Sequence, residues 1–168
     1  MHPVIFAAVN AIQREHDSPD FPDSLEAVGA LLCKFGEKDL ADFLFASIPS
    51  TVPFQVVASL FDFLAWQTSD NGGAMTRTAE QWLREGDDER KLLIALHLQV
   101  YPFIDGAEME QVLTHLAAIR PSVAERCLAL IAARNGNARL PNDLWHKRPD
   151  KPLPEPRLAS RRWGARWL

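Results

Sequence analysis

Five histidines, two cysteines and several close groups of carboxylates are the residues of this sequence equipped to do chemistry. His2, His16, His97, His115 and His146 are dispersed along the chain. His97 and His115 fall in two neighbouring helical patterns and could meet, which would suit a metal or an acid–base pair between helices. Two imidazoles supply only half of the four ligands a stable zinc site usually wants. A pair of half-buried, hydrogen-bonded histidines is the plainer expectation. Cys33 and Cys127 each sit in an apolar helical pattern, where a free cysteine behaves as a small hydrophobe. A disulfide or a reactive thiol is the other option.

Asp17, Asp20 and Asp23 recur every third residue through Asp17-Ser18-Pro19-Asp20-Phe21-Pro22-Asp23. An EF-hand loop needs alternating oxygen ligands, a central Gly and a terminal Glu, and this run has none of that order. Helix capping within a solvated turn accounts for it. Asp87-Asp88-Glu89 reads likewise, since carboxylates at a helix N-terminus complement the macrodipole. Either group could also face a basic partner.

The common catalytic signatures are missing. Gly72-Gly73 follows no strand pattern and lacks the further Gly or Lys of a phosphate loop. There is no Gly-x-Ser-x-Gly, His-Glu-x-x-His or Cys-x-x-Cys, nor the Glu-x-x-His of di-iron bundles. No catalytic residue is assigned, no metal is placed and no cofactor is expected.

The elements that would position these groups are helices. Between Gly and Pro breaks the apolar residues recur at three- and four-residue spacing. The pattern predicts helices over about 3–16, 24–35, 38–48, 53–68, 77–85, 88–100, 106–119 and 122–134. Asp23 with Glu26 resembles a capping box, Ser50 or Thr51 is placed to cap the fourth helix, and Gly36 to stop the second. Leu25, Phe43 and Val100 are counted in the inner stripes. Leu96-His97-Leu98-Gln99-Val100 alternates as a strand would, but it continues a helical pattern and lacks a partner strand.

Ala79-Glu80-Gln81-Trp82-Leu83 resembles Met109-Glu110-Gln111-Val112-Leu113, and Asp88-Glu89-Arg90-Lys91-Leu92 resembles Ala124-Glu125-Arg126-Cys127-Leu128. The expected fold is therefore all-α: about eight amphipathic helices as stacked antiparallel hairpins, either a bundle or an arrangement in the manner of HEAT or armadillo repeats.

Charge divides the chain. Residues 1–136 hold 19 Asp+Glu against 10 Lys+Arg, a net of −9, while 137–168 hold 3 against 8, a net of +5. The division suggests an acidic helical domain over 1–136 and an extended basic tail over 137–168. The tail's prolines, as in Lys151-Pro152-Leu153-Pro154-Glu155-Pro156, favour polyproline II. It also carries Trp145, Trp163 and Trp167 with Arg161, Arg162 and Arg166, and tryptophan is favoured as an interface anchor. These could dock on the acidic body or be offered to another molecule.

Phosphates need cations opposite them, so nucleic acid is disfavoured as a partner of the body. No run of 18 apolar residues suggests a membrane span. The N-terminus lacks the basic region of a signal peptide, so a cytoplasmic setting is expected. The function expected from these features is non-enzymatic protein binding, as an adaptor, chaperone or immunity-type inhibitor. An acidic surface with Asp17, Asp20, Asp23, Asp87, Asp88 and Glu89 would meet a basic protein. A helical enzyme or ligand carrier built around His97 and His115 is the first alternative; a structural subunit that oligomerises through the tail is the second. The sequence does not set the oligomeric state.

Overall fold

A computed structural model describes residues 1–15 and 20–136. Asp17, His16 and the whole tail with Trp145, Trp163, Trp167, Arg161, Arg162 and Arg166 lie outside the described residues, as does the expected extended conformation of that tail. Among the described residues there are eight helices and no strand: α1 (Pro3–Glu15), α2 (Pro22–Phe35), α3 (Leu40–Ser47), α4 (Phe54–Gln67), α5 (Gly73–Glu85), α6 (Glu89–Leu96), α7 (Gly106–Ile119) and α8 (Pro121–Arg134). None of these helices is long and apolar enough to cross a membrane.

The helices stack as hairpins. α1 packs on α2, α5 on α6 and α7 on α8, while α4 lies against both α1 and α2. Across the stack α3 meets α5 and α5 meets α7, whereas α4 meets α6 and α6 meets α8. Two rows of helices result, and one continuous core runs between them from Ile5 and Val28 through Leu60, Trp82 and Leu92 to Leu113 and Cys127. Each large apolar side chain taken fully from water in this way contributes roughly 1.5–3 kcal/mol.

Local chemistry moved several helix ends from their expected places. Pro22 starts α2, since a proline at the first helical position sacrifices no hydrogen bond. Asp23 is therefore inside the first turn rather than capping it. The cap comes instead from Glu15, whose carboxylate accepts the N–H groups of Asp23 (3.1 Å) and Ser24 (2.9 Å). Burial pushes the Glu15 carboxyl up, but the hydrogen bonds of Ser24 and Asp23 outweigh it and hold the group below its ordinary range. Neither Ser50 nor Thr51 caps α4; Pro53 precedes Phe54 and no side chain bonds there. Gly36 ends α2 as expected, with φ +73° and its N–H on the Leu32 carbonyl.

Helix α5 begins four residues early because the Gly-Gly pair starts it instead of breaking the chain. Asp70 Oδ2 accepts the Ala74 N–H at 2.6 Å, and Thr68 Oγ1 accepts the Gly72 N–H at 2.7 Å. Helix α6 stops at Leu96, short of Val100: the His97 N–H folds back to the Ile94 carbonyl, and the Gln99 N–H goes to Asp62 on α4. Val100 is consequently exposed, as are Leu25 and Phe43. Phe43 keeps one apolar contact, a ring 4.8 Å from that of Phe35.

The two internal resemblances differ in their structural match. Ala79 and Met109 are both buried, as are Leu83 and Leu113. In the second pair Leu92 is fully buried whereas Leu128 is 55% exposed.

Gly72 shows how tightly the α4–α5 corner is made. Its φ is +79°, and a Cβ there would sit 2.5 Å from the Cβ of Ala65. Gly36 also has a positive φ, but with ψ −171° and open space around it, so its need for glycine is one of backbone alone. In urea unfolding Gly72→Ala should cost about 3 kcal/mol, the left-handed backbone and the clash with Ala65 together. A loss of about 1 kcal/mol or less would show that the α4–α5 corner is not packed this closely.

Candidate functional site

Helices α3 and α5 run side by side without closing on each other. Between them lies a cleft of about 400 Å³ whose lining includes Glu37, Asp39, Asp42, Arg77, Glu85 and Lys91, with Leu40, Met75 and Trp82 at its apolar floor. Its size falls in the range of small binding sites. Four carboxylates face two cations in this lining, a net of −2.

Trp82 fixes the geometry. It is 2% exposed, and its indole N–H donates to Asp42 Oδ1 at 2.9 Å, tying α5 to α3. The ring lies 5.4 Å from Phe45 of α3 and 6.0 Å from Phe61 of α4. The Lys91 ammonium sits over both Phe45 (5.5 Å) and Trp82 (5.6 Å). Its charge is held against aromatic faces, an attractive arrangement in its own right.

Three of the four carboxylates, Glu37, Asp42 and Glu85, have neutral hydrogen-bond donors. Glu37 accepts the Ser69 hydroxyl (2.6 Å) and N–H (2.9 Å). Asp42 takes the indole N–H, and Glu85 the side-chain amide of Gln81 at 3.0 Å. Asp39 stands at the N-cap of α3 with φ +52° and makes no side-chain cap bond. A non-glycine residue in that conformation is strained by roughly 1–3 kcal/mol, and such strain clusters at functional sites. Among the described residues none of these carboxylates is in an ion pair, whereas the cation Arg77 is matched by Asp70 at 3.6 Å. Hydrogen bonds from neutral donors orient a carboxylate without cancelling its charge, so the cleft presents negative potential over an apolar floor.

A second charged residue supports this wall from below. Arg90 of α6 donates to the carbonyls of Ile48 (3.1 Å), Pro49 (3.0 Å) and Val52 (3.3 Å), in the turn between α3 and α4. Burial lowers its pKa, against the pull of Asp88. Arg90 thereby ties α6 to the turn after α3, and its guanidinium lies over the Phe45 ring at 5.6 Å.

The acids expected from sequence to meet a partner are elsewhere. Asp23 is exposed at the α1–α2 corner, 3.4 Å from Arg14, and Asp20 lies nearby in the chain with an interaction of its own. Asp88 caps α6 through Oδ1 on the Lys91 N–H at 2.9 Å; Asp87 and Glu89 are exposed beside it. None of these lines the cleft. Its own acids were missed, although Glu37, Asp39 and Asp42 fall within six residues at the start of an apolar helix.

His97 and His115 have different environments. The His97 ring nitrogen pairs with the Leu93 carbonyl at 2.7 Å, and its ring meets Phe54 edge-on at 4.8 Å. Burial lowers its pKa, partly offset by the Leu93 carbonyl. His115 is exposed on α7. Among the described residues no group of three His, Cys, Asp or Glu side chains is placed to hold a metal. Cys33 is exposed, off the inner stripe of α2, while Cys127 is buried, and burial pushes its thiol up to about 11.

Asp62 is the described carboxylate most perturbed by burial. It is sunk in a crevice between α4 and the segment after α6, partly open to solvent, and burial raises its pKa to about 7 against the Gln99 N–H bond.

Two measurements follow from these contacts. Asp42→Ala leaves the indole in place but removes the acceptor of its N–H, and should cost about 1–2 kcal/mol in urea unfolding; no loss would mean the indole bond holds nothing together. A carboxyl raised on folding stabilises the fold fully below about pH 4, and that contribution is lost as pH climbs through 7. Asp62→Asn should therefore leave Tm unchanged at about pH 4 and raise it by about 5–10 °C at about pH 8. A shift of equal size at both pH values would mean that Asp62 does not titrate with folding. Compared with protein-family models, curated proteins and solved structures, the chain matches none.

Proposed function

We propose that this chain is a non-enzymatic protein-binding module, an adaptor, chaperone or immunity-type inhibitor, that takes a basic segment of a partner protein into the α3–α5 cleft. The observation that carries this reading is the set of four carboxylates around an apolar floor, three of them, Glu37, Asp42 and Glu85, held by neutral donors. Lysine and arginine carry apolar stems and charged heads, so such side chains match both parts of the lining. The rows of helices set the wall rigidly, which spares a partner the entropic cost of ordering it.

The acids outside the cleft have a different use. Asp20, Asp23, Asp87, Asp88 and Glu89 contribute to a body whose 19 carboxylates exceed its 10 cations, and a field of that sign steers a basic partner in over long range. The exposed thiol of Cys33 fits the reducing, cytoplasmic setting in which we place the encounter.

The test uses the full chain and a fluorescent nine-arginine peptide followed by anisotropy. The peptide should bind, and raising NaCl from about 50 mM to about 500 mM should weaken it about tenfold or more, as charge attraction is screened. Asp39→Asn with Glu85→Gln should weaken binding by about fivefold at low salt, while Asp23→Asn with Asp87→Asn changes it less than about twofold. A salt-insensitive affinity, or equal losses in the two double variants, would remove the cleft from the binding site.

A further inference from the structure

The chain carries its own candidate for this cleft. We propose that residues 161–167, with Arg161, Arg162, Trp163, Arg166 and Trp167, dock in the α3–α5 cleft of the same molecule and compete there with the basic partner. The proposal rests on the functional reading above and adds a regulator to it.

Charge is the first support. The tail has a net of +5, with three of its eight cations in the run Arg161-Arg162-Trp163-Gly164-Ala165-Arg166-Trp167. The cleft has a net of −2 and lies in a body of net −9. The run alternates guanidinium groups with large aromatic rings, and the lining alternates carboxylates with Leu40, Met75 and Trp82. An arginine pairs with a carboxylate through two parallel hydrogen bonds, which Asp39 and Glu85 can accept at the rim.

The second support is where the described chain ends. Gly136 stands two residues after Arg134, whose guanidinium donates to the carbonyls of Phe103 and Ile104 just before α7. The Phe103 ring lies 5.0 Å beneath the guanidinium of Arg84. Arg84 in turn bonds Glu108 at 2.9 Å and belongs to the last turn of α5, the helix that brings Glu85 to the cleft. The described chain thus ends on the side of the body where α5 ends. From Gly136 to Arg161 the chain counts 25 residues, which even at the polyproline rise of about 3.1 Å per residue is ample to reach α3.

Tethering does the rest. A segment held on a linker of this kind meets its site at an effective concentration of the order of 1 mM. Weak intrinsic affinity is enough to occupy the cleft, and a partner must bind better than the tail to displace it.

Paramagnetic relaxation reads this contact directly in the full chain. A nitroxide is attached at position 165 of an Ala165→Cys variant that also carries Cys33→Ser, which removes the exposed thiol. The amides of Asp39, Asp42, Arg77 and Glu85 should broaden, and the broadening should vanish when Arg161, Arg162 and Arg166 are all changed to Ser. The same triple change, without the label, should tighten binding of the nine-arginine peptide by about tenfold. Broadening elsewhere or nowhere, with the peptide still bound at the cleft of the unaltered chain, would overturn the self-competition and leave the functional reading standing. A peptide that fails to bind even the triple variant would overturn both.

Discussion

The contact between Trp82 and Asp42 is the one on which the rest of the site depends. Indole is the largest buried side chain of the core, and its single N–H needs an acceptor when taken from water. Asp42 supplies that acceptor from the neighbouring helix. The arrangement satisfies the indole and holds α3 at a fixed distance from α5. It also brings a carboxylate to the rim of a cleft, where its second oxygen stays available. A phenylalanine core would pack here without holding a charge in place.

The walls of the cleft are held by the same economy of polar groups. Arginine side chains reach from one layer of helices to the open carbonyls of another: Arg90 to the turn after α3, Arg120 to Gly86, Arg126 to Leu96 and Arg134 to the turn before α7. Each fills backbone acceptors at a helix end or in a turn between helices. These cations are committed to backbone, so they do not neutralise the carboxylates around the α3–α5 cleft. A body with 10 cations for 19 carboxylates has fewer still to spare at its surface.

Helix existence was legible in the sequence because burial in this fold follows the 3.6-residue period, as Ile5, Val9 and Ile12 or Val28 and Leu31 illustrate. The ends of helices were less so. Asp23 and Glu26 look like a local cap, yet the N–H groups at issue are taken by Glu15, whose position depends on how α1 turns into α2. The Gly72-Gly73 pair reads as a break, whereas Gly72 opens α5 by letting the chain pass within contact of Ala65. The cleft itself was not legible. Its acids lie at 37–42 and at 85, distant in sequence and joined only because α3 stacks on α5. Clusters of adjacent acids such as Asp87-Asp88-Glu89 draw the eye instead, and the structure assigns Asp88 to an ordinary helix cap.

The most direct test of the account is a map of amide chemical shifts as the nine-arginine peptide is titrated into the full chain. The account predicts saturable shifts confined to residues 37–42 and 74–85, together with movement of the Trp82 indole N–H signal. Shifts centred on Asp87–Glu89, or on the helix that bears His115, with Asp39, Asp42 and Trp82 unmoved, would contradict it.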